Sequence, residues 1–92
     1  MVPEKAWGAA IRNSFGVTVR AVRQQNGISQ EELALRTGLD RSYVGQVERG
    51  ERNLTLENIY KLADGLGVPP ASLLIELNQP LNFGPNSAEI GL

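Results

Sequence analysis

The chain predicts an all-α domain, and three observations carry that expectation. Apolar residues recur at spacings of three and four in successive segments between residues 14 and 77. Residues suited to helix starts, Ser29, Asp40 and Thr55, stand just before such segments. Residues 28–53, ISQEELALRTGLDRSYVGQVERGERN, place two short amphipathic segments around a glycine-containing turn, the pattern of a helix-turn-helix. Ninety-two residues of ordinary hydrophobic content suffice for one small core and not for two.

The elements follow in order. Phe15, Val19 and Val22, with Arg20 and Arg23 interleaved, predict a first helix over residues 14–26 that Asn26-Gly27 ends. Residues 1–13 form an N-terminal extension. Its segment EKAWGAAIR reads as helical, either a separate turn or the same helix continued backwards, with Trp7, Ala10 and Ile11 on one side. The second helix, Gln30–Thr37, has Ser29 and Glu32 spaced as a capping box and Ile28 and Leu33 as a hydrophobic staple. Ala34 stands where two helices must approach closely, and Gly38 where the chain must turn. The third helix, Arg41–Arg49, has Asp40 as its expected N-cap and Leu39 with Val44 as its staple. Leu33, Leu39, Val44 and Val47 supply the apolar side of the pair.

After the loop ERN, Thr55 caps a fourth helix, stapled by Leu54 and Ile59. Its predicted buried stripe is Leu56, Ile59, Leu62, Ala63 and Leu66, and Gly67 ends it. Pro70 suits the first turn of a fifth helix carrying Leu73, Leu74 and Leu77. The domain is thus expected over residues 14–77. Residues 78–92, NQPLNFGPNSAEIGL, read as a C-terminal tail: disordered, or an arm whose Leu81, Phe83 and Ile90 pack on a partner subunit.

Composition narrows the function. The chain has no cysteine and no histidine, which removes disulfides, thiolate metal sites, the commonest general base and the commonest transition-metal ligand. No metal or cofactor is expected, and an enzyme would have to work with carboxylates alone. No apolar run is long enough to span a bilayer, and the N-terminus does not read as a signal peptide, so a soluble cytoplasmic protein is expected. The net charge of −1 argues against a nucleic-acid binder, but its distribution argues back. Residues 12–52 hold seven arginines against five acids, a net of +2, while residues 53–92 carry a net of −3. Arginine suits bidentate contact with phosphate or guanine.

At 100° per residue, Val44 and Val47 point together toward the core. Arg41, Ser42, Gly45, Gln46 and Arg49 fall on the opposite side, a polar face with a gap at Gly45 where DNA can approach the backbone. A helix held in this way enters a major groove with its N-terminal residues at base edges. Arg41 is then placed to read guanine, Gln46 to read adenine or take a backbone role, and Ser42 to bond either base type. Tyr43 lies between the faces, either covering the turn or meeting a DNA backbone or base step. Glu48 has the wrong charge for a DNA face and is expected to turn inward onto an arginine of the first helix. Ser29 and Gln30, at the N-terminus of the second helix, are candidates for phosphate. Arg49, Arg52 and Asn53 are placed to clamp the next phosphates.

With SQEELA, the turn Thr37-Gly38-Leu39, and VERGERN followed by Leu54 and Thr55, residues 14–77 resemble the repressor/Cro-type, or xenobiotic-response-element, helix-turn-helix regulators. The resemblance implies a compact five-helix, lambda-repressor-like bundle that binds operator DNA as a homodimer, with Arg23 paired to Glu48. Within that family, LDRSYVGQVERGERNLTLENI is similar to the restriction–modification controller proteins. That similarity assigns Arg41, Ser42, Tyr43 and Arg52 to operator contact. The Trp-containing extension and the Pro/Gly/Asn-rich tail depart from the controllers.

The function expected is a transcriptional regulator, of the repressor or controller kind, acting as a homodimer on a pseudo-palindromic double-stranded DNA operator near its own gene. Its self-complementary surface is expected on the fifth helix, at Leu74, Ile75 and Leu77, because the second and third helices are committed to core and DNA. Two other readings stay open: an antitoxin-type module that neutralises a partner protein through the acidic C-terminal half, and a DNA-bound adaptor that recruits RNA polymerase.

Overall fold

A computed structural model describes residues 4–74, with side chains from Trp7 onward. It contains five helices and, among the described residues, no strand: α1 (Glu4–Gln25), α2 (Gln30–Thr37), α3 (Arg41–Glu48), α4 (Leu56–Leu66) and α5 (Pro70–Leu74). The first helix does not begin near residue 14. It runs unbroken from Glu4 for 22 residues, about 33 Å at the ordinary rise, so of the two readings of the extension the backward continuation holds.

One core joins all five helices. Phe15 and Val19 of α1 meet Leu33 and Ala34 of α2, Val44 and Val47 of α3, Leu62, Ala63 and Leu66 of α4, and Leu73 of α5. Ile28, Leu39, Leu54 and Ile59 pack at its edge, as the staple positions require. Leu56 does not join them. It is 68 % exposed, in the first turn of α4 at the outer end of the stripe.

The helix ends are built as expected with two differences. Ser29 Oγ accepts from the Glu32 backbone N–H at 3.0 Å. The returning half of the capping box is not made, because the Glu32 carboxylate instead accepts from Arg36 Nε one turn along, at 3.1 Å. Asp40 holds the N-cap position of α3 with extended backbone, but its side chain makes no capping bond. Gly38 ends α2 at φ 74°, a conformation costly for a residue with a Cβ. Asn26 Nδ2 donates to the Leu66 carbonyl at 3.0 Å, and Arg36 donates to the Gly65 carbonyl at 3.3 Å, so the end of α4 is satisfied from the turn after α1 and from α2. No helix of the described residues is long and apolar enough to cross a membrane. Ile75, Leu77 and the tail at 78–92 lie outside the described residues.

Candidate nucleic-acid interface

The third helix presents its two ends differently. At its start, Arg41 and Ser42 are exposed. At its end, Glu48 turns into the protein, its side chain only 2 % exposed, against an Arg23 side chain 11 % exposed. Arg23 Nε donates to one carboxylate oxygen at 2.6 Å and a second guanidinium nitrogen to the other at 3.0 Å. Such a bidentate fork is the strong form of a charge-assisted bond, and it holds the Arg23 guanidinium above its ordinary pKa. Arg23 also donates to the Ile28 carbonyl at 2.9 Å, and Gln30 Nε2 donates to Glu48 Oε1 at 3.0 Å. The network therefore ties α1, the loop to α2, and α2 itself to the C-terminal end of α3.

Two expectations change here. The amide of Gln30 is bonded to Glu48 rather than turned free toward phosphate. Gly45 is not an open gap in the exposed face. It is buried, and a Cβ placed there would meet the Arg49 guanidinium at 3.1 Å and the Gln30 side chain at 3.6 Å. The close approach that glycine permits is therefore to the protein's own polar side chains.

The remaining face is continuous. Gln46 is half-buried on α3, and Arg52 Nη1 in the loop beyond donates to its Oε1 at 3.4 Å. The Arg52 guanidinium lies over the Tyr43 ring, 4.9 Å from the centroid, within reach of a cation–π attraction. Tyr43 is half-buried at the core edge, and its hydroxyl accepts from Asn58 Nδ2 at 3.0 Å. The ring is thus packed against the core on one side and carries an arginine at the surface. Arg49 and Glu51 form an exposed pair, with Nε to Oε2 at 2.9 Å and a second bond at 3.3 Å. The pair raises the arginine pKa and lowers that of the carboxyl. Ser29 and Asn53 are exposed at the flanks. Asn58 carries no signal that periodicity could detect. Its one sequence clue is that it stands third in the helix after Thr55, where Glu or Gln would complete a capping box.

A surface of this form, a short helix with a polar outer face held beside a second helix by a buried ion pair, defines the class. The chain belongs to the helix-turn-helix family, whose model matches residues 19–73. It is a DNA-binding transcriptional regulator of the restriction–modification controller type. The control protein C.BamHI of Bacillus amyloliquefaciens is 46% identical over 65 residues, which span 70% of this chain and 80% of that one. The crystal structure of the controller C.AhdI from Aeromonas hydrophila superimposes with a TM-score of 0.68 at 53% identity, covering 70% of this chain and 97% of the other. The C.Esp1396I tetramer, crystallised in complex with its natural 35 base-pair operator, matches with a TM-score of 0.65 at 30% identity, covering 68% and 83%.

Proposed function

We propose that this chain binds a short pseudo-palindromic operator as a homodimer in the cytoplasm and controls transcription from it, including that of its own gene. The observation that carries the reading is the division of α3. Its one carboxylate, Glu48, is buried on Arg23, while Arg41, Ser42 and Gln46 remain at the surface beside Arg49 and Arg52. Arg41 and Ser42 lie at the helix start, where recognition helices meet base edges. Arg49 exchanges Glu51 for a phosphate, Ser29, Tyr43, Arg52 and Asn53 line the path of the backbone, and Gln30, its amide held by Glu48, meets it through its main-chain N–H. The similar C.Esp1396I, solved on its operator, supports the DNA half of this reading.

Sequencing DNA fragments selected by the purified protein tests it first, and a defined symmetric site is expected. On that site Arg41→Ala is expected to lose about 1–3 kcal/mol and to relax specificity at one base pair. Arg49→Ala weakens all sequences alike and lowers the salt slope by about one. Gel-shift titrations on selected and scrambled DNA at several salt concentrations separate the two. Equal losses on both DNAs for Arg41→Ala remove its base-reading role.

One recognition helix reads too few base pairs to select an operator, so a second copy is required. Leu56 and Tyr60 lie one turn apart on α4, 68 % and 58 % exposed, and Leu74 ends α5 at 59 %. We assign the self-complementary surface to these residues, and to Ile75 and Leu77 on the sequence alone. Leu74→Asp and Tyr60→Asp are expected to give folded monomers with weak operator binding, measured by sedimentation. Variants that stay dimeric move the interface to the helix segment around Trp7 and Ile11.

A further inference from the structure

Asn58 stands third in α4, behind the N-cap Thr55, whose Oγ1 accepts from the Asn58 backbone N–H at 3.1 Å. At this position Glu or Gln reaches back to close the capping box, and asparagine is a poor helix former. Local helix stability therefore gives no reason for Asn58. Its side chain reaches instead across 15 residues of sequence to the Tyr43 hydroxyl.

We infer that Asn58 is a positioning residue for operator recognition, fixing Tyr43 and through it Arg52 and Gln46. The inference rests on the operator reading above. Because the phenol oxygen accepts from Asn58, the phenol's own hydrogen is left to donate outward. The ring so held is the platform on which Arg52 lies at 4.9 Å. Arg52 in turn donates to Gln46 Oε1, which engages the amide oxygen and leaves the amide N–H groups to face the groove. Gln46 then favours base acceptors, such as guanine O6 and N7 or thymine O4, over the paired acceptance and donation that adenine asks for. A residue of α4 that touches no base thereby enters the sequence preference of α3.

The test is a double-mutant cycle on the full chain, with Asn58→Ala, Tyr43→Phe and the pair, against the operator selected by the parent and a scrambled duplex. Asn58→Ala is expected to weaken operator binding by about 3- to 10-fold, the range of one hydrogen bond. Binding to the scrambled duplex should stay unchanged, and the melting curve should move little, because alanine's better helix propensity offsets the lost bond. In the Tyr43→Phe background the loss should shrink to near nothing, since the two changes remove the same bond. An equal loss on both duplexes means direct phosphate contact and overturns the inference. So does a loss that persists in the Tyr43→Phe background, or the absence of any loss. Should Asn58→Ala unfold, Asn58→Ser, suited to a first turn but too short to reach the phenol, carries the same expectations. A parent that selects no sequence removes the operator reading itself, whereas a preference that Asn58→Ala leaves at the parent's full strength removes only the role of Asn58.

Discussion

Glu48→Ala is expected to destabilise the fold by about 3–5 kcal/mol, the usual result of removing one partner from a buried ion pair. The Glu48 carboxylate accepts from two Arg23 nitrogens and from Gln30. Its loss leaves the Arg23 guanidinium desolvated beside an apolar core and the Gln30 amide without a partner. Against a total stability of about 5–15 kcal/mol, the melting temperature should fall by about 10 °C or more for a domain of this size. DNA affinity should fall as a consequence, because the same network sets the angle of α3 on α1 and α2. Arg23→Met combined with Glu48→Leu should recover much of the stability, since no unpaired charge then stays buried. Urea and thermal unfolding of the three proteins measure this. A Glu48→Ala protein that melts like the parent and binds DNA more tightly would mean that Glu48 acts only as a repulsive charge near phosphate.

Gly16→Ala is expected to destabilise as well, although alanine is the better helix former by about 0.8–1.0 kcal/mol. Gly16 lies where α1 crosses the C-terminal end of α3. A Cβ there would fall 2.7 Å from the Glu48 carbonyl oxygen and closer still to that of Val47. These are backbone atoms that cannot rotate aside, so α3 must move away from α1. Overpacking of this kind costs about 1–3 kcal/mol, occasionally more, which outweighs the propensity gain. The shift also displaces Arg41 and Gln46, so operator affinity should fall further than the loss of folded protein explains. Unfolding melts together with gel-shift titration on the folded fraction check both parts. A Gly16→Ala protein that melts above the parent would show that the crossing has room to spare.

Most of the local structure was legible in the chain. Capping residues act within four positions of themselves, and staples and apolar stripes repeat at the helical period. Ser29, Thr55, Gly38 and the core positions of α2 to α4, Leu56 excepted, could therefore be read without knowing what they touch. Glu48 was legible too, because a carboxylate beside residues expected to face DNA is out of place on charge alone. Gly16 and Gly65 were not. Gly65 is buried in α4 with Thr37 of α2 2.6 Å from where its Cβ would be, and a glycine within a helix shows its purpose only when the crossing partner is known.

By itself, then, the sequence determined the helices, their order, the inward faces of α1 to α4 apart from Leu56, and the inward turn of Glu48, since all of these rest on interactions between near neighbours or on charge. Only the tertiary structure decided that Gln30 bonds Glu48, that Gly45 is covered, that Leu56 stays outside the core, and that Asn58, Tyr43, Arg52 and Gln46 form one connected surface. Those residues lie up to 18 positions apart along the chain in a single bond. Such pairings depend on the angles at which helices cross, which no local pattern encodes.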